Sequence, residues 1–311
     1  MTNNQSMLFV ADIEGPPPET ISNEFAKYTR IVPLTSGGKA NLFVGKDTNL
    51  GRSVVLKMLD EQDSRGRIEL RRLLREARIT AQLQHPATVP LYELGQTDTG
   101  QWFFAMKKIE GQTLFQIIVG LARREEVIER KFQLNRLLSI LTSVGDALAY
   151  AHARGVIHRD IKPENILVGM FGEVTLIDWG IAKIWGMGSD GDETNDTQRV
   201  GTPLYMSPEQ VAGNGLIDER TDIFSLGIVM YEMMAQREPF RGRNKQETFD
   251  NILHKEPTAP KVAAPHRNIP MKLQEICLKA MQKKPSDRYQ SVAQMMEDIE
   301  SFRSNALMRE A

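Results

Sequence analysis

Cysteine is almost absent. Cys277 is the only one in 311 residues, and a single thiol excludes an internal disulfide framework and a cysteine-built zinc cluster. It sits among Leu273, Ile276 and Leu278, the setting of a small core residue rather than a nucleophile. The scarcity of thiols fits a reducing, cytoplasmic setting. Long apolar runs are missing too. No stretch approaches the ~20 apolar residues that span a bilayer, and the opening MTNNQSMLFVADIEG lacks the basic and apolar regions of a signal peptide. Surplus charge is also lacking: 39 Lys and Arg against 40 Asp and Glu leave a formal net charge of −1. That balance offers no footprint for nucleic acid or a membrane surface. No internal repeat is visible. What remains is an ordinary globular composition in a chain long for one core and short for two full-sized domains, which points to two lobes.

Residues 1–27, which contain the turn-rich Gly15-Pro16-Pro17-Pro18, read as an extension. From Tyr28 to about residue 110 the pattern is strand-like, with short apolar runs at Leu42–Val44, Val54–Leu56 and Trp102–Phe104 between Gly, Asn and Asp turns. One helix interrupts them: Leu70, Leu73, Leu74, Ala77 and Ala81 recur at helical spacing before His85-Pro86 stops the run. After Gly111 the character changes, and Leu134, Leu137, Leu138, Leu141, Val144, Leu148 and Ala151 trace one face of a long helix. The charged run Arg123-Arg124-Glu125-Glu126 reads as a solvated face leading into that helix. The expected class is α+β: a small β-rich lobe over about 28–110, a larger helical lobe over about 111–303 and a tail at 304–311.

The densest chemistry lies in His158-Arg159-Asp160-Ile161-Lys162-Pro163-Glu164-Asn165, followed by Ile166-Leu167-Val168 and then Asp178-Trp179-Gly180. Phosphoryl transfer needs an oriented hydroxyl, fixed metal ions and compensated charge rather than covalent help from protein. Asp160 supplies a carboxylate for the hydroxyl, and Lys162 a point charge for a phosphate. Asn165 and Asp178 offer hard oxygen ligands suited to Mg²⁺. The bland alternative is an Asp and an Asn capping helices in an ordinary loop.

The run resembles the catalytic loop and metal motif of the eukaryotic-like (Hanks-type) protein kinases. The resemblance covers about residues 28–303 and is nearest the bacterial members, judging by Ser207-Pro208-Glu209-Gln210 and Asp218–Gly227. It implies a two-lobed kinase fold, ATP with Mg²⁺ (or Mn²⁺) as cofactors, and protein substrates bearing Ser or Thr. It further implies self-association for autophosphorylation in trans. Lys57 would hold the phosphates and pair with Glu76, which lies on the apolar stripe of its helix where an unpaired carboxylate is costly. The rest of the nucleotide pocket falls on Leu42, Val55, Met106, Lys107, Ile109 and Leu167. Glu209 and Arg288 would form a structural ion pair, and Asp222 would brace the catalytic loop. Thr202 with Lys162 implies serine/threonine specificity. Arg159 would receive a phosphorylated activation segment, with Thr194 and Thr197 as acceptors. The acidic stretch 189–197 lacks the glycine and glutamate of a calcium-binding EF-hand at their positions and is excluded as one.

Three departures stand out. The glycine-rich phosphate loop falls on Thr35-Ser36-Gly37-Gly38-Lys39-Ala40 and keeps only its central glycine, which implies weaker nucleotide binding. Val55 replaces an alanine under the base, which tightens the pocket, and Trp179 replaces a phenylalanine beside the metal aspartate, where the packing role survives at a cost in fit. The eroded glycine loop and Trp179 motivate an alternative, a pseudokinase acting as a scaffold or binding module. Retention of Lys57, Glu76, Asp160, Lys162, Asn165 and Asp178 argues for the enzyme.

Overall fold

A computed structural model describes residues 25–35, 40–59, 66–184, 202–213 and 217–310. The first lobe is a five-stranded antiparallel sheet in the order β1-β2-β3-β5-β4, built from β1 (Tyr28–Thr35), β2 (Ala40–Asp47), β3 (Arg52–Leu59), β4 (Leu91–Gln96) and β5 (Trp102–Lys107). The β2–β3 turn is set by Asp47, whose carboxylate accepts from the amides of Asn49 and Leu50 at 3.2 and 3.3 Å, while Gly51 takes φ 68°. Strand period then sorts the side chains. Val54, Leu56, Met58, Phe103 and Ala105 pack on one face with Tyr28. Phe104 turns to the other and meets Leu73 and Ala77 of helix α1 (Gly66–Gln82). Phe25 lies within the expected extension, yet its ring packs 5.0 Å from Phe103, so the chain joins the lobe before Tyr28.

The second lobe is mostly helical. It comprises α2 (Leu114–Ala122), α3 (Glu126–Lys131), α4 (Leu134–His152), α5 (Pro208–Ala212), α6 (Arg220–Ala235), α7 (Lys245–His254), α8 (Pro260–Ala263), α9 (Met271–Ala280) and α10 (Val292–Glu310). Short strands β6 (Gly111–Thr113), β8 (Ile166–Gly169) and β9 (Val174–Leu176) form a small sheet, and β7 (Val156–Ile157) pairs with β10 (Lys183–Ile184). The charged run differs from expectation: Arg123 caps α2, Arg124 takes φ 57°, and Glu125-Glu126 open the separate short helix α3 before α4 begins. No glycine or proline interrupts 292–310, and α10 accordingly continues past residue 303 to Glu310.

Helix α6 is buried on every side from Thr221 to Ala235, as befits a helix apolar around most of its circumference. Helix α9 packs on it, and α10 packs on α4. Cys277 is fully buried, its thiol 3.4 Å from the Gly227 carbonyl. Glu209 on α5 and Arg288 make a bidentate pair at 2.7 Å, and Arg288 also donates to the carbonyls of Arg220, Gln282 and Lys283. Burial pushes the Glu209 carboxyl up, but the Arg288 bonds outweigh it and hold the group below the ordinary carboxylate range. No described helix is long and apolar enough to cross a membrane. Truncating Arg288 strands a buried carboxylate, so Arg288→Ala is expected to cost about 3 kcal/mol or more. Urea unfolding of wild type and variant checks it, and a loss below about 1 kcal/mol would contradict the buried pair.

Candidate active site

The register of the first sheet gathers one wall. Opposed residues of an antiparallel pair point to the same side, so the pairs Leu42↔Lys57, Lys57↔Phe104 and Val55↔Met106 put Leu42, Val55, Lys57 and Met106 on one face. That face carries α1, and Glu76 projects from it: the Lys57 Nζ donates to both Glu76 oxygens at 2.6 and 2.7 Å. Burial disfavours the Lys57 ammonium, yet Glu76 and Asp178 outweigh it and raise its pKa. Burial also pushes Glu76 up, with Lys57 pulling back. Two oxygens accepting from one ammonium is the geometry of a carboxylate, so we read the pair as ionic. Lys107 lies opposite Val54, and its side chain therefore points to the other face, away from this wall. Ile109 sits in the connection from β5 to β6, and Leu167 on β8 is half-buried.

The opposite wall is the loop from β7 to β8. Asp222 of α6 has no exposure, and its oxygens accept from the backbone amides of His158 and Arg159, both at 2.8 Å, and from His152 Nε2 at 2.8 Å. Burial works against its charge, but these bonds hold the carboxyl below its ordinary range. The brace lets Arg159 keep φ 70°, a conformation that non-glycine residues rarely take. Burial also keeps His158 neutral by lowering its pKa. Its Nε2–H donates to the Ile177 carbonyl at 3.2 Å, and its Nδ1 accepts from the Asp160 amide at 3.3 Å.

The reactive groups follow. Lys162 Nζ donates to Asp160 Oδ2 at 2.6 Å and to Thr202 Oγ1 at 2.8 Å, while the Thr202 amide donates to Asp160 Oδ1 at 3.0 Å. Asn165 Nδ2 donates to the Asp160 carbonyl at 2.9 Å and to Oδ2 at 3.2 Å, which fixes the amide so that its oxygen is the atom presented for a cation. The Ile177 amide donates to the Asn165 carbonyl at 2.9 Å, tying this loop to the one that carries Asp178. Asp178 stands at φ 66° with its side chain 44% exposed toward the cleft and Oδ1 3.5 Å from Lys57 Nζ. Although burial opposes it, Lys57 and Lys162 hold the Asp178 carboxyl below its usual range. Two oxygen donors converging beside a lysine suit a hard divalent cation on a polyphosphate.

Several contributors were not foreseen from the residues. A side chain at Gly180 would place Cβ 2.9 Å from Glu76 Oε2 and 3.1 Å from Asp178 Oδ1, so only glycine lets the loop pass between the two acids. Ser207 and Gln210 form a reciprocal cap on α5, and Gln210 Nε2 donates to the Arg159 carbonyl at 2.9 Å. The Ser-x-x-Gln spacing was the available signal. Trp179 is buried against the His158 ring at 4.5 Å, and its indole N–H has no acceptor among the described residues. That orphan is the cost in fit of the larger ring. Tyr205 donates to Glu232 at 2.7 Å, and burial pushes Glu232 up to about 7. Gly37, Gly38, Thr194 and Thr197 lie outside the described residues; Thr35 ends β1 and Ala40 opens β2.

Comparison with known proteins agrees with this geometry. Residues 28–299 match the family model described as protein kinase domain. This chain belongs to the protein kinase domain family. It is 32% identical over 293 residues to the serine/threonine-protein kinase PknD of Protochlamydia amoebophila and 33% over 292 residues to that of Chlamydia felis. The PknD of Chlamydia pneumoniae is 32% identical over 292 residues. The match covers 88% of this chain but only 30–31% of those relatives, so the chain spans about a third of their length. The family is a bacterial, Hanks-type one in these relatives, and its members use ATP and a divalent cation.

The Glu232 carboxyl gives the kinase fold a defined pH response. The folded state holds this proton more tightly than the unfolded chain, so its share of stability is full below about pH 4.5 and is lost as pH rises through about 7. Glu232→Gln mimics the protonated acid. The variant is expected to match wild type at about pH 4 and to exceed it by about 3 kcal/mol at pH 8, read from denaturant unfolding. An equal difference at both pH values would contradict the buried acid.

Proposed function

We propose that this domain transfers the γ-phosphate of ATP to serine and threonine hydroxyls of protein substrates, with Mg²⁺ as the working cation and Mn²⁺ as a substitute. The observation that carries the reading is the convergence of Asp160, Lys162, Asn165 and Thr202 within one hydrogen-bonded cluster. Asp178 faces that cluster and reaches Lys57 on the sheet wall.

In this reading Asp160 orients the substrate hydroxyl and takes its proton as the oxygen–phosphorus bond forms. The bond from the γ-phosphorus to the bridging oxygen breaks, and ADP leaves with the electron pair. Lys162 lies against the incoming γ-phosphate and offsets its charge. Lys57, held by Glu76, binds the α- and β-phosphates. Asn165 and Asp178 would hold the cation, which supplies charge neutralisation along the triphosphate. Leu42, Val55, Met106, Ile109 and Leu167 line the base, with Lys107 contributing backbone only. Gly37 and Gly38 are assigned to the phosphates by the resemblance, and Thr35 and Ala40 in place of glycines weaken nucleotide binding there. Thr202, clamped between Asp160 and Lys162, supports the choice of a short hydroxyl side chain.

The scaffold alternative gains no support, because each of the six groups the chemistry needs is in a bonded position. Regulation by autophosphorylation of Thr194 or Thr197, with Arg159 as receptor and self-association bringing two copies together, rests on the family resemblance and on Arg159 adjoining Asp160. Cytoplasmic action fits the ATP requirement and the lone buried thiol.

Two substitutions separate binding from chemistry. Asp160→Ala is expected to lower turnover at least about a hundredfold while ATP affinity stays near wild type. Asp178→Ala is expected to weaken Mg²⁺-dependent ATP binding as well, measured by calorimetry with and without the metal. Full activity in Asp160→Ala would refute the assignment. For regulation, mass spectrometry after incubation with ATP is expected to find phosphate at Thr194 or Thr197. Phosphate confined to residues 1–27, with unchanged activity in the double alanine variant, would refute that site.

A further inference from the structure

The larger lobe holds a pocket that the phosphotransfer site does not use. It lies where the end of α2, the start of α4, the end of α6 and the loop 264–270 meet, and it encloses about 470 Å³. Small-molecule sites span ~300–1,000 Å³. Asp222 and Met234 sit near opposite ends of α6, and at ~1.5 Å rise per residue the pocket stands roughly 18 Å from the loop brace.

Its chemistry is lopsided. Leu121, Leu134, Leu137, Met233 and Met234 make the apolar wall. The polar atoms facing them are donors short of acceptors. The Arg267 guanidinium is half-buried, and among the described residues it makes no ion pair or hydrogen bond; burial lowers its pKa, and Glu129 is the charge that answers it. The Gln236 amide nitrogen is buried without an acceptor among the described residues, on a residue held at φ 57°. Arg124 reaches the rim from a second strained residue, at φ 57°. A buried donor left unmade costs about 1–3 kcal/mol, so native proteins pair nearly all of them. Here the Gln236 nitrogen is one such donor, and the half-buried Arg267 guanidinium on the same cavity has no acceptor among the described residues. Arg124 and Arg267 against Glu129 leave one net positive charge, which one singly charged anion would balance.

We propose that this pocket binds a small monocarboxylate with an apolar body, its carboxylate accepting from Arg267 and its hydrocarbon lying on the leucine and methionine wall. The site is separate from the nucleotide cleft, and its occupancy does not depend on phosphotransfer.

Octanoate, octylammonium and octanol test it, because they share a body and differ in head group. Calorimetry on the full chain is expected to show octanoate binding at least about tenfold tighter than either of the others, equivalent to roughly 1.4 kcal/mol. Arg267→Gln is expected to erase that preference and Arg267→Lys to keep most of it, since the charge survives. Hydrogen exchange on wild type gives an answer independent of variant folding: octanoate is expected to protect 121–137 and 264–270. Equal binding of the three probes, no octanoate binding, protection confined to the nucleotide cleft, or an Arg267→Gln variant with unchanged preference would each overturn the proposal.

Discussion

Asp222 carries an ionised carboxylate into the centre of the larger lobe with no exposure to water. Such a group is tolerated only when its lone pairs are met, and here two consecutive backbone amides and a histidine meet them. The interaction fixes backbone rather than side chains. It holds the His158–Arg159 turn, including the unfavourable φ 70° at Arg159, and so decides where Asp160 and the residues after it begin. Gln210 closes the same turn from α5 by donating to the Arg159 carbonyl. The reactive loop is thus tied to α6 and to the segment around Ser207–Glu209, which Arg288 anchors in turn.

A second constraint joins the lobes. Lys57 comes from the sheet, Glu76 from α1 and Asp178 from the larger lobe, and the three share one ammonium. The Leu176 amide bonding to the Ala87 carbonyl at 2.8 Å adds a backbone link just before Asp178. Between these ties the chain accepts strain: Asp178 at φ 66°, and Gly180 threaded close to two carboxylates. Strain of this kind, about 1–3 kcal/mol per residue, persists where the surroundings over-determine the backbone.

Much of this was readable from residue order. Short apolar runs between turn residues placed β2, β3 and β5, and helical spacing placed α1 and α4. The catalytic loop was legible because its chemistry packs into eight consecutive residues. What escaped depends on distance in the chain. Lys107 was taken with Met106 as pocket-lining, but strand register turns adjacent residues to opposite faces. The turn from α2 into α3 comes from Arg124 adopting a left-handed conformation, and α3 ends at Phe132 (φ −114°, ψ 57°) before α4 begins, neither of which the residues advertise. Trp179 read correctly as a large apolar plug, while its unmatched indole N–H depends on which ring lies against it. The Tyr205–Glu232 bond joins residues 27 apart and leaves no local pattern.

The account turns on Asp160 acting on a hydroxyl inside a cluster built for short side chains. Phosphoamino-acid analysis after incubation with Mg²⁺ and γ-labelled ATP tests it most directly, run on wild type and Asp160→Asn with a mixed Ser, Thr and Tyr peptide pool. The account predicts label on phosphoserine and phosphothreonine in wild type and its near-complete loss in the variant. Label on phosphotyrosine alone, no label in wild type, or equal label in both proteins would contradict it.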